Sequence, residues 1–151
     1  MKYRRADLES RMLAFALDAL IAGLLFIIPL PIIRSILSAS FLLFRDVIMY
    51  EITGDKSWSN RSPGKRVLGL MVVGETETEK YKNITRTLSL QRNFIPALGL
   101  IAGIVPLLGL IIAPVISLLV WIIELLASIS HPQQKRLGDR LARTVVIKKI
   151  P

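Results

Sequence analysis

The sequence predicts an all-α membrane protein, a four-transmembrane-helix bundle with a small cytoplasmic β-ribbon. Three observations lead there. Hydrophobic residues make up 52% of the 151-residue chain and its mean hydropathy is +0.54, too apolar for a water-soluble domain of this size. These residues are collected into blocks at 12–33, 35–52 and 94–129, and apolar blocks of that length read as membrane spans. Finally, 18 of the 20 lysines and arginines fall in stretches flanking the blocks, with 4 in residues 1–11, 8 in 53–92 and 6 in 130–151.

A net charge of +9 and a pI near 10.4 would suit a nucleic-acid binder, but the placement of the charge argues against one. Basic residues beside spans mark the cytoplasmic side and attract anionic lipid headgroups. The chain has no cysteine and one histidine, which excludes disulfides, thiolate metal sites and a multi-histidine centre. No serine nucleophile with an adjacent base is visible, so neither an enzyme nor a cofactor is expected. Lys2, Arg4 and Arg5 precede an apolar stretch as in a leader peptide, yet Asp18 interrupts that stretch and no small-x-small site precedes Pro29.

The first span is placed at 12–33, where Pro29 and Pro31 break the helical pattern as the chain leaves the hydrocarbon. Arg34 and Ser35 are expected to form a tight turn. The second span, 35–52, is interrupted by Arg45-Asp46. As one helix, residues 94–129 would be about 54 Å long, against a hydrocarbon core of ~30 Å. That block must fold back, with Pro106 and Gly109 offering the turn between spans at 94–108 and 111–129, and Pro96 and Pro114 able to kink them. Four spans keep all three basic stretches and both termini in the cytoplasm; three spans would export the basic tail.

The loop 53–93 and the tail 130–151 then form the cytoplasmic part. Ser62-Pro63-Gly64-Lys65 has turn chemistry and leads into a candidate strand at 67–73, with a second at 144–147. Their backbone groups need partners, so the two are expected to pair into a ribbon at the inner membrane surface. Residues 84–93 read as an amphipathic interfacial helix. Gly64-Lys65 is not a phosphate loop, because Ser59 stands where the first glycine belongs and Arg66 where Ser or Thr would hold magnesium. The alternating acids Glu75, Glu77 and Glu79 read as a solvated loop.

Ionisable residues within the spans carry most of the information: Asp18, Arg45, Asp46 and Glu124. A charge at mid-bilayer costs ~3 kcal/mol even on lenient scales. Counted inward from the cytoplasmic ends, all four lie at roughly 8 to 10 Å depth. They could form a cation or proton site with Asp18, Asp46 and Glu124 as ligands. Alternatively they form a packing network in which Arg45 neutralises Asp18 or Glu124 while Asp46 reaches for the surface. Arg11 is too far along the helix to pair with Asp18 and suits an acid from a cytoplasmic segment, of which Asp139 is the best placed. Asp139 could also cap a short helix at 140–143.

The stretch Arg11-Met12-Leu13-Ala14-Phe15-Ala16-Leu17-Asp18, then Ser62-Pro63-Gly64-Lys65-Arg66-Val67-Leu68-Gly69-Leu70, then Arg92-Asn93, then residues 137–146 around Gly138-Asp139 occur in that order. Together they resemble the RDD family, with Arg11, Asp18 and Asp139 as the motif residues. The resemblance implies a bacterial integral inner-membrane protein, for which transport, including sodium/proton exchange, is one proposed reading. The chain departs from the pattern with Arg45-Asp46 in the second span and with Gly138 where many members carry His. Two functions stay open at this point. One is a small cation transporter moving sodium or protons through Asp18, Asp46 and Glu124, working as a homo-oligomer because four short spans enclose little volume. The other is a non-catalytic scaffold that binds anionic lipid or a partner protein through Lys65, Arg66 and Lys82.

Overall fold

A computed structural model describes residues 3–75, 81–105 and 108–149. The chain runs β1 (Tyr3–Arg5), α1 (Leu8–Leu24), α2 (Pro31–Phe44), α3 (Ile48–Thr53), α4 (Pro63–Val67), β2 (Leu70–Gly74), α5 (Arg86–Ala102), α6 (Leu108–Ser130), α7 (Leu137–Leu141) and β3 (Thr144–Lys149). It is mostly helical with one small antiparallel sheet of order β1-β3-β2. Among the described residues one helix, through Ile111–Ser130, is long and apolar enough to cross a membrane, with a mean hydropathy of 2.3.

The long helices sort their residues by size and polarity. Helix α1 buries Ala14, Asp18 and Ala22, spaced four apart on one face. Helix α2 buries Ser35, Ser38, Ala39 and Leu42, and α5 buries Ser89, Arg92, Asn93, Pro96, Ala97 and Gly99, again at helical spacing. Large aliphatics point outward instead: Leu20, Ile27, Ile111, Leu118 and Leu126 are each more than half exposed. Small and polar inside with large apolar outside suits a lipid-facing bundle. Helix α5 packs on both α2 and α6, and α1 on α2.

Several boundaries differ from the sequence expectation. The turn expected at Arg34 and Ser35 lies earlier, because Pro31 occupies the first turn of α2, where its fixed φ and missing N–H cost nothing; both residues are helical, and α1 has already ended at Leu24. The second apolar segment is not one helix, since Arg45-Asp46-Val47 form a turn between α2 and α3. The return between α5 and α6 begins at Gly103, and Gly109 is inside α6; Pro106 lies outside the described residues. The helix expected at 84–93 is the first half of α5 and continues without a break.

The ribbon expected from two strands is a sheet of three. Strand β2 pairs with β3 through Val72 opposite Val146, and β1 covers the other edge with Tyr3 opposite Lys149. Strand β2 starts three residues later than expected because Ser62-Pro63-Gly64-Lys65 opens helix α4 rather than a plain turn: the Ser62 side chain accepts from the Lys65 N–H and Pro63 takes the first turn. Gly69, at φ +67, then turns the chain into the strand. Leu70, Val72 and Val146 pack with Ala6, Ala14, Val47 and Ile84 between sheet and helices. Of the acidic run, Glu75 accepts from Lys135 at 2.6 Å; Glu77 and Glu79 lie outside the described residues.

Candidate functional site: a buried ionic network

Where the sheet and α4 meet the helices, charge is concentrated in the interior. Asp18, on the inward face of α1, has no exposed surface. Its Oδ2 accepts from the Ser62 hydroxyl at 2.6 Å and its Oδ1 from the Gly64 N–H at 2.8 Å. Helix α4 can come this close because Gly64 has no side chain; a Cβ there would stand 2.1 Å from the Ala14 carbonyl oxygen. Arg45 Nη1 lies 3.4 Å and Lys65 Nζ 3.9 Å from the same carboxylate.

Asp46 sits one step further in. Lys65 Nζ donates to its Oδ1 at 2.7 Å, the Asn93 amide donates to its Oδ2 at 3.0 Å, and Arg92 Nη1 is 3.7 Å away. Asn93 also accepts from Arg45 at 2.9 Å, so one amide ties the two residues of the α2–α3 turn together. Asp46 is fully buried and does not reach the surface. Arg45 lies 4.8 Å above the Phe15 ring, a favourable placement for a desolvated guanidinium.

Asp139 is the centre of a third cluster. Arg11 Nη2 is 2.5 Å from its Oδ2, Arg92 Nε 2.8 Å from its Oδ1, and Arg136 Nε 3.6 Å away. The Arg11–Asp139 pair therefore forms, joining the start of α1 to the tail, and Arg11 also donates to the Gln134 carbonyl. Asp139 does not cap a helix: α7 begins at Leu137, so its carboxylate lies within the first turn and faces α5. Gly138 permits that contact, because a Cβ would stand 1.9 Å from the Arg92 carbonyl oxygen. Although burial raises the Asp139 pKa, Arg92, Arg136 and Arg11 together hold it below the ordinary carboxylate range. Burial pushes the Lys65 ammonium down to about 8, opposed by Asp46.

Of the four ionisable residues in the spans expected from the sequence, Asp18, Arg45 and Asp46 come together, while Glu124 belongs to the Asp139 side, accepting from the Gly138 N–H at 3.3 Å with Arg136 at 4.0 Å. Lys65 is buried at 4% exposure, inside the network and not on the outer basic face where the sequence set it, because its ammonium is drawn in by Asp46 and Asp18. Arg66 stacks 3.9 Å from the Trp58 ring, and Lys82 is exposed. Sequence reasoning missed Arg92, Asn93, Lys65 and Arg136 as network members. The available signal was electrostatic: three buried acids and one arginine leave negative charge unbalanced, so further cations had to enter.

The RDD family model matches residues 5–143. The chain belongs to the RDD family. It is thus a membrane protein of that family, and the matched region holds the whole network from Arg11 to Asp139. No match was found among curated proteins or among solved structures. Among the described residues no group of histidine and acidic side chains could hold a metal ion. The RDD residues Arg11, Asp18 and Asp139 serve one arrangement: each ties a segment outside the long helices to a helix, Arg11 and Asp139 the tail, Asp18 the loop helix α4.

Proposed function

We propose that this RDD protein is a non-catalytic inner-membrane scaffold with four spans and both termini in the cytoplasm, whose cytoplasmic sheet region binds anionic lipid headgroups. The observation that carries this reading is the pairing of the buried acids: Asp18, Asp46 and Asp139 are each engaged by at least two cationic side chains. Carboxylates so engaged are poor ligands for a passing sodium ion, whereas they fix a cytoplasmic cap onto a bundle well. Helices α1, α2, α5 and α6 supply the spans in this reading, and their outward aliphatics face lipid or further copies of the chain.

The exposed charge of the cap is basic. Arg4, Arg5, Lys82, Arg140 and Arg143 are all at the surface, and Lys82 and Arg143 flank the end of β2, since Gly74 pairs with Lys82 on one side and with Thr144, the neighbour of Arg143, on the other. Basic residues beside spans contribute ~1 kcal/mol each towards an anionic surface. Native mass spectrometry of the purified protein tests this. Wild type should retain phosphatidylglycerol or cardiolipin over phosphatidylcholine, and a Lys82→Gln/Arg140→Gln/Arg143→Gln variant should lose the preference; equal retention of all three lipids by wild type would count against the scaffold.

One observation favours transport as a second reading. Glu124 Oε2 carries no hydrogen bond, and with Arg11, Ser128 and Arg136 it borders a cavity of about 50 Å³ beside Phe15 and Trp121. A sodium or proton carrier would use Glu124 rather than the engaged Asp18. Ion-driven flux in proteoliposomes that vanishes in Glu124→Gln, with or without loss in Asp18→Asn, would replace the scaffold with a transporter.

A further inference from the structure

Between the three carboxylate clusters lies a second, smaller cavity of about 10 Å³, enclosed by Arg11, Arg45, Lys65, Arg92 and Arg136 with Phe15, Leu70 and Val146 completing its wall. Every ionisable side chain on that wall is cationic. The carboxylates that pair with these cations stand behind them and do not line the space. Some of the donors are unused: Arg45 Nε, Arg92 Nη2 and Arg11 Nε are buried without any hydrogen-bond partner, and Arg45 and Arg92 are each 1% exposed. The formal charge does not close either. Among the described residues five cations, of which Arg11 and Arg136 are part-buried, meet four acids, Asp18, Asp46, Glu124 and Asp139, leaving the network with one positive charge in excess.

From this geometry we infer that the cavity is a binding site for one small monatomic anion of the chloride class. Size, donors and charge each select that guest. The space open to the centre of a water-sized particle is about 10 Å³, so one ion fills it, and a dianion such as sulfate would overcompensate the single excess positive charge. A water molecule would find donors on the polar side chains and no carboxylate to take its own hydrogens, whereas an anion accepts from every side. A charge of −1 cancels the excess and relieves the desolvation cost of packing guanidinium groups together. The anion would hold the loop, the tail and α5 around one centre, a role independent of whether the protein is a scaffold or a transporter.

The test is thermal unfolding of the purified full chain in detergent, followed by the fluorescence of Trp58 and Trp121, at constant ionic strength. Sodium gluconate is replaced stepwise by sodium chloride or bromide, with sodium sulfate as the polyatomic control. Chloride and bromide should raise the unfolding temperature saturably, by about 5 °C at saturation, while gluconate and sulfate do not. An Arg92→Lys variant, which keeps the charge but removes the Nη2 donor, should weaken the chloride midpoint about tenfold. Anomalous scattering from bromide-grown crystals should place a peak within the arginine cluster. Overlapping curves for chloride and gluconate, or equal stabilisation by sulfate, would overturn the site and leave the cavity to water or general salt effects.

Discussion

The two ends of the helix bundle are held by different physics. At the end that carries the sheet, Asp18, Asp46 and Asp139 meet Arg11, Arg45, Lys65, Arg92 and Arg136, and nearly all contacts join residues far apart in sequence. At the opposite end, the helices close on small residues. The Ser35 hydroxyl donates to the Gly103 carbonyl at 3.1 Å, the Ser38 hydroxyl to the Ala22 carbonyl at 3.0 Å, and Gly99 lies against Ser117. The first end depends on charge balance, which fails if one partner is lost. The second depends on shape, which fails in proportion to the volume added.

The largest effect is expected at Asp139. Replacing it with Asn leaves Arg11, Arg92 and Arg136 without their shared carboxylate, and removing one partner of a buried ion cluster costs ~3–5 kcal/mol. Unfolding of the variant in detergent against wild type measures it. The acid limb of the stability profile gives a second readout. Since the folded-state pKa of Asp139 is lowered, its contribution is fully present above the unfolded value, about 3.9, and is lost as pH falls from there through the lower folded value. Wild type should therefore lose stability below about pH 4 more steeply than Asp139→Asn. Parallel acid limbs would show that the three arginines do not depend on this carboxylate.

This end was also the less legible one in the sequence. The apolar blocks, the helix break at the two prolines and the pairing of a strand expected at 67–73 with one at 144–147 follow from periodicity and composition, signals that lie within one window. Arg11 with Asp139 was legible because Arg11 sits at a block edge too far along the helix to pair with Asp18, and Asp139 is the one acid of the tail 130–151. Lys65 was not: a lysine after Pro-Gly in a basic loop reads as solvent-facing, and only the proximity of Asp46, which folding creates, turns it inward. Strand β1 was missed for a related reason, since Tyr3-Arg4-Arg5 carries no alternation and becomes a strand because β3 offers it an unpaired edge. Helix α4 was hidden by Pro63 and Gly64, turn formers here used for a helix start and for close contact with Ala14.

At the opposite end the test is volume. A Cβ on Gly99 would stand 1.8 Å from the Ser117 hydroxyl and 2.8 Å from its backbone nitrogen, so Gly99→Val should cost ~1–3 kcal/mol by forcing α5 from α6. Because the closest atom is a side-chain oxygen, Ser117→Gly in the same chain should return part of the loss, read as a coupling energy in a double-mutant cycle. Strict additivity would mean that α5 and α6 do not touch there.

The smallest effect is expected at Ser38. Its buried hydroxyl donates to the Ala22 carbonyl, but that oxygen already accepts from the Leu25 N–H at the end of α1. Ser38→Ala therefore removes a donor and strands no acceptor, placing the cost near ~0.6 kcal/mol, the average for interhelical hydrogen bonds in membranes. Unfolding in detergent resolves this against the loss at Asp139 by a factor of about five. A Ser38→Ala loss as large as that of Asp139→Asn would mean that the serine contacts, and not the ionic network, set the position of α2 against α1, reversing the order of the two ends.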